Sequence, residues 1–150
     1  MSFLNPQDAE TIRRRFAADL EAPVRLVLFL PATGGLALPG EDWQASEYTR
    51  QILREVAELS ERVEVEEYGL LSHAEAAQWY GVREAPAIVF LGKEDYGVRY
   101  LGMPAGYEFV TLLEVIMAVS RGRGEVTEAT RRVLARLTGD AHLRVFVTPT

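Results

Sequence analysis

The chain contains no cysteine. That excludes a disulfide, a thiolate nucleophile and a zinc–thiolate site made from its own residues. Its two histidines, His73 and His142, lie far apart, and no second metal-type residue stands three or four positions after His73. No metal-ligand spacing results. There is no GxGxxG spacing, and Gly34-Gly35 is not followed by Gly-Lys-Ser/Thr, so no phosphate loop is present. No apolar run approaches the roughly 20 residues of a membrane span. The opening MSFLNPQDAE lacks the basic and apolar regions of a signal peptide, which makes a cytoplasmic location the default. Lys93 is the sole lysine and Asn5 the sole asparagine. That scarcity is compatible with a thermophilic source, and a GC-rich genome gives the same arginine usage.

What remains is an ordinary globular composition. The chain has 150 residues, 48% of them hydrophobic and 25% charged, with a net charge of −6. One domain of this length buries about 70% of its unfolded surface. The negative balance argues against a nucleic-acid footprint, which needs a basic face. The run Arg13-Arg14-Arg15 is short and reads as a solvated helix face.

Asn5 and Pro6 suit an N-cap and a first helical position. Ala9, Ile12, Phe16 and Leu20 then recur at helical spacing over roughly 7–20. Val24 to Leu30 is a dense apolar run, expected as a central strand buried on both faces. Pro31 to Gly40 is a long Pro/Gly-rich loop. A helix is expected over roughly 42–60, with Tyr48, Ile52, Val56 and Leu59 on one face. Val63, Val65 and, after a break, Tyr68 mark a strand. The acidic residues Glu64, Glu66 and Glu67 read as a solvated face rather than a catalytic cluster. Ser72-His73-Ala74-Glu75 has the form of a capping box for a short helix ending near Tyr80-Gly81. His73 in that first turn reads as a surface residue rather than a ligand.

Pro86 to Leu91 and Val98 to Leu101, joined by the polar stretch from Gly92 to Gly97, suit an antiparallel hairpin. From Ala105 a helix carries Phe109, Leu112, Leu113, Ile116 and Met117 on its apolar face. Val126, Ala129, Val133, Leu134 and Leu137 indicate a last helix, closed by Gly139, before a strand-like run from His142 to Val147. The order from Val24 to Val119 is β-α-β-α-β-β-α, read as two parallel crossovers, a hairpin and a helix. This is the thioredoxin arrangement, an α/β fold with a mixed sheet, here with an extra N-terminal helix and a C-terminal helix–strand extension.

Residues in the middle and at the end carry a resemblance. Ala85-Pro86-Ala87-Ile88-Val89, Tyr96 to Gly102 and Pro104 to Phe109 resemble the first half of the protein disulfide oxidoreductases of thermophiles. These glutaredoxin-like proteins consist of two tandem thioredoxin-fold units. Val145-Phe146-Val147-Thr148-Pro149-Thr150 resembles the first strand of their second unit, which leads into a CxxC motif that this chain does not reach. The amino-terminal domain of the flavoprotein subunit of alkyl hydroperoxide reductase is similar in layout. The resemblance implies a thioredoxin-like unit over 1–122, and over 123–150 the helix and first strand of a second, truncated unit. It implies a cis bond at Ala85-Pro86 and a groove beside it that pairs with an extended peptide by strand addition. It places the redox position, counted back without gaps from Leu59-Ser60, at Trp43-Gln44-Ala45-Ser46.

That position lacks the chemistry. A redox site needs a thiolate at a helix N-terminus, where the helix dipole lowers the thiol pKa. Trp43 and Ser46 cannot supply it. Trp43 reads either as a partly buried aromatic at a helix start or as an apolar contact for a peptide or partner unit. The expectation is a redox-inactive unit of a protein disulfide oxidoreductase, with no catalytic residue, no cofactor and no metal in this chain. Its partner is expected to be a second thioredoxin-like unit or another copy of the chain, and a homo-oligomer is expected. The other reading is a stand-alone, cysteine-free module that binds a protein or an extended peptide. The strand-like run at 142–147 is expected to be disordered, added to a sheet edge, or paired with a second copy, because its backbone groups need partners.

Overall fold

The chain is built around one strand, β1 (Val24–Leu30), in which every residue but Arg25 is buried. The computed structural model describes residues 2–31 and 43–148. Before β1 stands α1 (Pro6–Asp19); after it come α2 (Trp43–Ala57), β2 (Val63–Gly69), α3 (Ala74–Tyr80), β3 (Ala87–Leu91), β4 (Arg99–Leu101), α4 (Tyr107–Arg121) and α5 (Glu128–Leu134). The loop expected over 31–40 lies, apart from Pro31, outside the described residues. No described helix is long and apolar enough to cross a membrane.

The sheet order is β2-β1-β3-β4. β1 pairs in parallel with β2, from Val24 opposite Val63 to Leu30 opposite Gly69. It pairs antiparallel with β3, from Arg25 opposite Leu91 to Phe29 opposite Ala87. The strand period of two splits β1 between two cores. Val24, Leu26, Leu28 and Leu30 face a larger core with α1, α2 and α4. Val27 and Phe29 face a smaller one closed by Ala77 and Val82. The dense apolar run thus serves a strand covered on both sides, as expected of it.

The second connection departs from the expected parallel crossover. The helix α2 has 15 residues, about 22 Å of rise, enough to carry the chain back along a seven-residue strand. The helix α3 has only seven residues, about 10 Å of rise. It cannot return the chain to the start of the sheet. β3 therefore begins at the end where β2 finished and runs antiparallel to β1.

Local signals fare unevenly. Asn5 caps α1 as expected, its Oδ1 accepting from the Asp8 amide at 2.8 Å. Arg13, Arg14 and Arg15 are exposed, and Arg15 joins α1 to α4 through Glu114 at 2.7 Å. Ser72 does not cap α3. The N-cap is His73, and its side chain makes no capping bond. Nδ1 of His73 instead accepts from the Gly69 amide at 3.0 Å, and its ring stacks on Tyr68 at 4.8 Å between centroids. β2 runs unbroken through Glu66 and Glu67 to Gly69. These two glutamates are ion-paired, Glu66 with Arg25 and Glu67 with Arg50 and Arg54. The last helix is shorter than its apolar pattern. It ends at Leu134 with Ala135 as C-cap, so Gly139 is not its stop.

A buried hydroxyl ties α4 to the entry of β1. Ser120 is 2% exposed. Its Oγ accepts from the Glu21 and Ala22 amides at 2.9 and 3.0 Å and donates to the Ala22 carbonyl at 2.6 Å. An alanine there leaves these backbone groups unpaired, at about 1–3 kcal/mol for each buried one. Ser120→Ala is expected to lower stability by about 2–3 kcal/mol, read as a shift of the urea midpoint at constant slope. An unchanged midpoint refutes this role.

Candidate functional site

The topology collects the expected site residues at one end of the sheet. β1 ends there at Leu30, and α2 starts there because it must run back before β2. β3 also starts there, since Ala87 lies opposite Phe29. The structure thus brings the N-terminal turn of α2, residues Trp43, Gln44, Ala45 and Ser46, to the same end as Ala85 and Pro86.

Within that turn, Ser46 is buried, Trp43 and Ala45 are half-buried and Gln44 is exposed. The Ala45 carbonyl accepts the Thr49 hydroxyl at 2.7 Å. The indole N–H of Trp43 is buried and has no hydrogen-bond partner among the described residues. A buried donor without a partner carries a desolvation cost, and a carbonyl brought to it removes that cost. Pro86 is buried and Ala85 half-buried, and the bond between them is cis. The Pro86 carbonyl accepts the Gly102 amide at 2.8 Å, which extends the β3–β4 pairing past the strand end. Next to Gly102 the chain turns into α4, where Tyr107 is 79% exposed.

The arrangement supplies surfaces and backbone groups, and no thiol. Cysteine is absent from the whole chain. Among the described residues no cluster of three or more histidine, aspartate and glutamate side chains could hold a metal. His73 is exposed and held by the Gly69 amide and Tyr68, outside the turn of Trp43. A concavity of about 560 Å³ beyond the end of α4 is lined by Arg121, Arg123 and Arg131. Each of these arginines faces a glutamate: Glu125 at 3.7 Å, Glu21 at 2.7 Å and Glu128 at 3.7 Å. No unpaired arginine is therefore directed into it.

One feature escaped the reading of the sequence. Residues 2–4 lie across α2 as a strap, over a groove of about 200 Å³ lined by Tyr48, Ile52, Glu55, Gly106 and Phe109. Phe3 meets Tyr48 edge-on at 4.2 Å. Glu55 receives the Phe3 and Leu4 amides at 2.9 and 3.0 Å, the Ser2 hydroxyl at 2.9 Å and the Gln51 amide at 3.0 Å. Burial raises the Glu55 carboxyl, but these bonds outweigh it and hold its pKa below the ordinary glutamate value. Glu55 is not part of the apolar face of Tyr48, Ile52, Val56 and Leu59, and nothing local shows that the chain's own start folds back onto it. A lowered pKa means that the ionised carboxylate holds the strap. The strap is therefore expected to be intact above the ordinary glutamate pKa of about 4.3 and released as the pH falls through the lower folded value. Amide exchange at Phe3 and Leu4, corrected for its intrinsic pH dependence, should accelerate over that interval. Glu55→Ala should accelerate it at neutral pH, and unchanged exchange in that variant contradicts the role.

No protein-family model matches the chain, and no curated protein matches it in sequence. Solved structures do. The protein disulfide oxidoreductase of Aeropyrum pernix k1 is similar at a TM-score of 0.74 and 25% identity, over 93% of this chain and 57% of that one. The NTD_N/C domain of the alkylhydroperoxide reductase AhpF of Enterococcus faecalis gives 0.68 at 19% identity, over 87% and 59% of the two chains. The C503A mutant of the same organism's AhpF gives 0.71 at 19% identity, over 91% and 62%. The chain spans between 57 and 62% of the length of these three. At 19% identity the AhpF likenesses speak for the fold alone. With the mixed sheet β2-β1-β3-β4 and helices on both faces, the chain has a thioredoxin-like fold.

Proposed function

We propose that this chain is a redox-inactive thioredoxin-fold unit of a tandem protein disulfide oxidoreductase, and that it packs against a unit that carries the CxxC pair. The observation that carries this is the match to the Aeropyrum pernix oxidoreductase over 93% of this chain, in a sequence without cysteine. Trp43 to Ser46 then occupy the redox position at the start of α2. Ala85 and Pro86 line the groove opposite, where an extended segment adds to the sheet. Residues 1–122 form the unit, and 123–150 the opening helix and strand of the next.

An internal repeat supports that division. Leu143-Arg144-Val145-Phe146-Val147 repeats the pattern of Val24-Arg25-Leu26-Val27-Leu28. Val133 and Leu137 repeat the four-residue spacing of Ile12 and Phe16, which are buried in α1. The order apolar helix stripe, short linker, apolar–Arg–apolar strand occurs twice. A cytoplasmic location and a thermophilic source belong to the same reading, the second being compatible with the single thermolabile asparagine.

The chain alone should show no turnover above buffer in a dithiothreitol-coupled insulin reduction assay, and measurable turnover overturns the reading. A second reading, a cysteine-free protein- or peptide-binding module, is favoured by the Trp43 indole, which has no partner among the described residues, and by the exposed Tyr107. It requires a partner whose binding is lost on Trp43→Ala or Tyr107→Ala. Binding that survives both substitutions refutes it.

A further inference from the structure

Every residue from Gly122 to Thr148 is exposed. The stretch nevertheless carries Val126, Val133, Leu134, Leu137, Leu143, Val145, Phe146 and Val147. α5 has no buried residue. A seven-residue helix is marginal in water without a packed face, and an extended apolar run without pairing leaves its N–H and C=O groups to water. This segment is built to be covered.

The free edge of β2 complements it. β2 is an edge strand. Among the described residues, no backbone bond joins 64–68 to any element but β1. β1 shows what β2 accepts: Val24, Arg25 and Leu26 lie opposite Val63, Glu64 and Val65, and Arg25 reaches Glu66 at 3.2 Å. Leu143-Arg144-Val145-Phe146-Val147 has the β1 pattern. In the β1 register on the free edge, Leu143 and Val145 align with Val63 and Val65, and Arg144 with Glu64. Glu64 is exposed and has no ion pair among the described residues, so an arginine there gains a partner.

We propose that the free edge of β2 is a docking site for residues 143–147 of a second copy of this chain, the two copies exchanging strands reciprocally. Each chain supplies one donor strand and one acceptor edge, so the pair closes with two-fold symmetry. The strand match works at both junctions: apolar residues continue the row of Val63 and Val65, and the single arginine meets the single unpaired edge glutamate. The inference rests on the repeat and on the β2 edge and concerns the 150-residue chain by itself, since a following unit that closes its own sheet around 143–147 takes the same strand. A chain inactive on insulin can form this dimer, and an active one can fail to.

Sedimentation equilibrium of the 150-residue chain across the micromolar range tests it. A mass of twice 16.8 kDa is expected at the upper concentrations. Arg144 is exposed in the single chain, so Arg144→Glu leaves the fold intact by circular dichroism. Replacing two cross-strand attractions by repulsions should weaken the dimer about tenfold or more. Adding Glu64→Arg to that variant should restore most of the affinity, and amides of 143–147 should gain exchange protection as concentration rises. A monomer at all concentrations, a dimer indifferent to Arg144→Glu, or protection of 143–147 independent of concentration overturns the proposal.

Discussion

Burial of β1 on both faces is the constraint on which the rest of the chain depends. A strand covered on both sides exposes no polar side chain to either core, and β1 admits only Arg25. Two apolar layers must then be found for it. Three helices supply one and α3, with Val82, the other. Each fully buried aliphatic or aromatic side chain of such a strand contributes roughly 1.5–3 kcal/mol relative to exposure. The surrounding elements follow from the need to cover it.

The two ends of β1 then take different roles. Its entry is fixed by polar contacts: Ser120 gathers the Glu21 and Ala22 backbone, and Arg62 donates to the Leu20 and Glu21 carbonyls at 2.7 and 2.9 Å. Its exit is where α2 begins and β3 starts, and the residues there are a half-buried tryptophan, a buried serine and a buried proline. In the proposed function this is a thioredoxin-type site with its reactive groups replaced. A buried indole donor without a partner among the described residues and an exposed Tyr107 suit holding another chain.

Where the sequence was legible, one local period or one residue type decided the outcome. The apolar density of 24–30, the stripe of Ile12 and Phe16, and the cap at Asn5 depend on neighbours within a few positions. The failures depended on contacts distant in sequence or on competing partners. The direction of β3 followed from the length of α3 against the strand it would have to retrace. His73 stands at the N-cap of α3 without a capping bond because its ring is taken by Tyr68 and the Gly69 amide. α5 stopped short of Gly139 because, among the described residues, nothing buries its apolar stripe. The proline-started strand and the helix after β1 could be counted along the sequence, but the strap of residues 2–4 on Glu55 could not. It pairs residues more than fifty positions apart and has no motif.

The central claim is that the first turn of α2 is a redox position emptied of its thiols. The most direct test restores them. In the variant carrying Trp43→Cys and Ser46→Cys, the helix N-terminus should lower the first thiol's pKa below the ordinary cysteine value of about 8.5. The account predicts that this variant gains dithiothreitol-dependent insulin reduction while the parent chain shows none. A folded double variant with two titratable thiols, an ordinary thiol pKa and no turnover would contradict it.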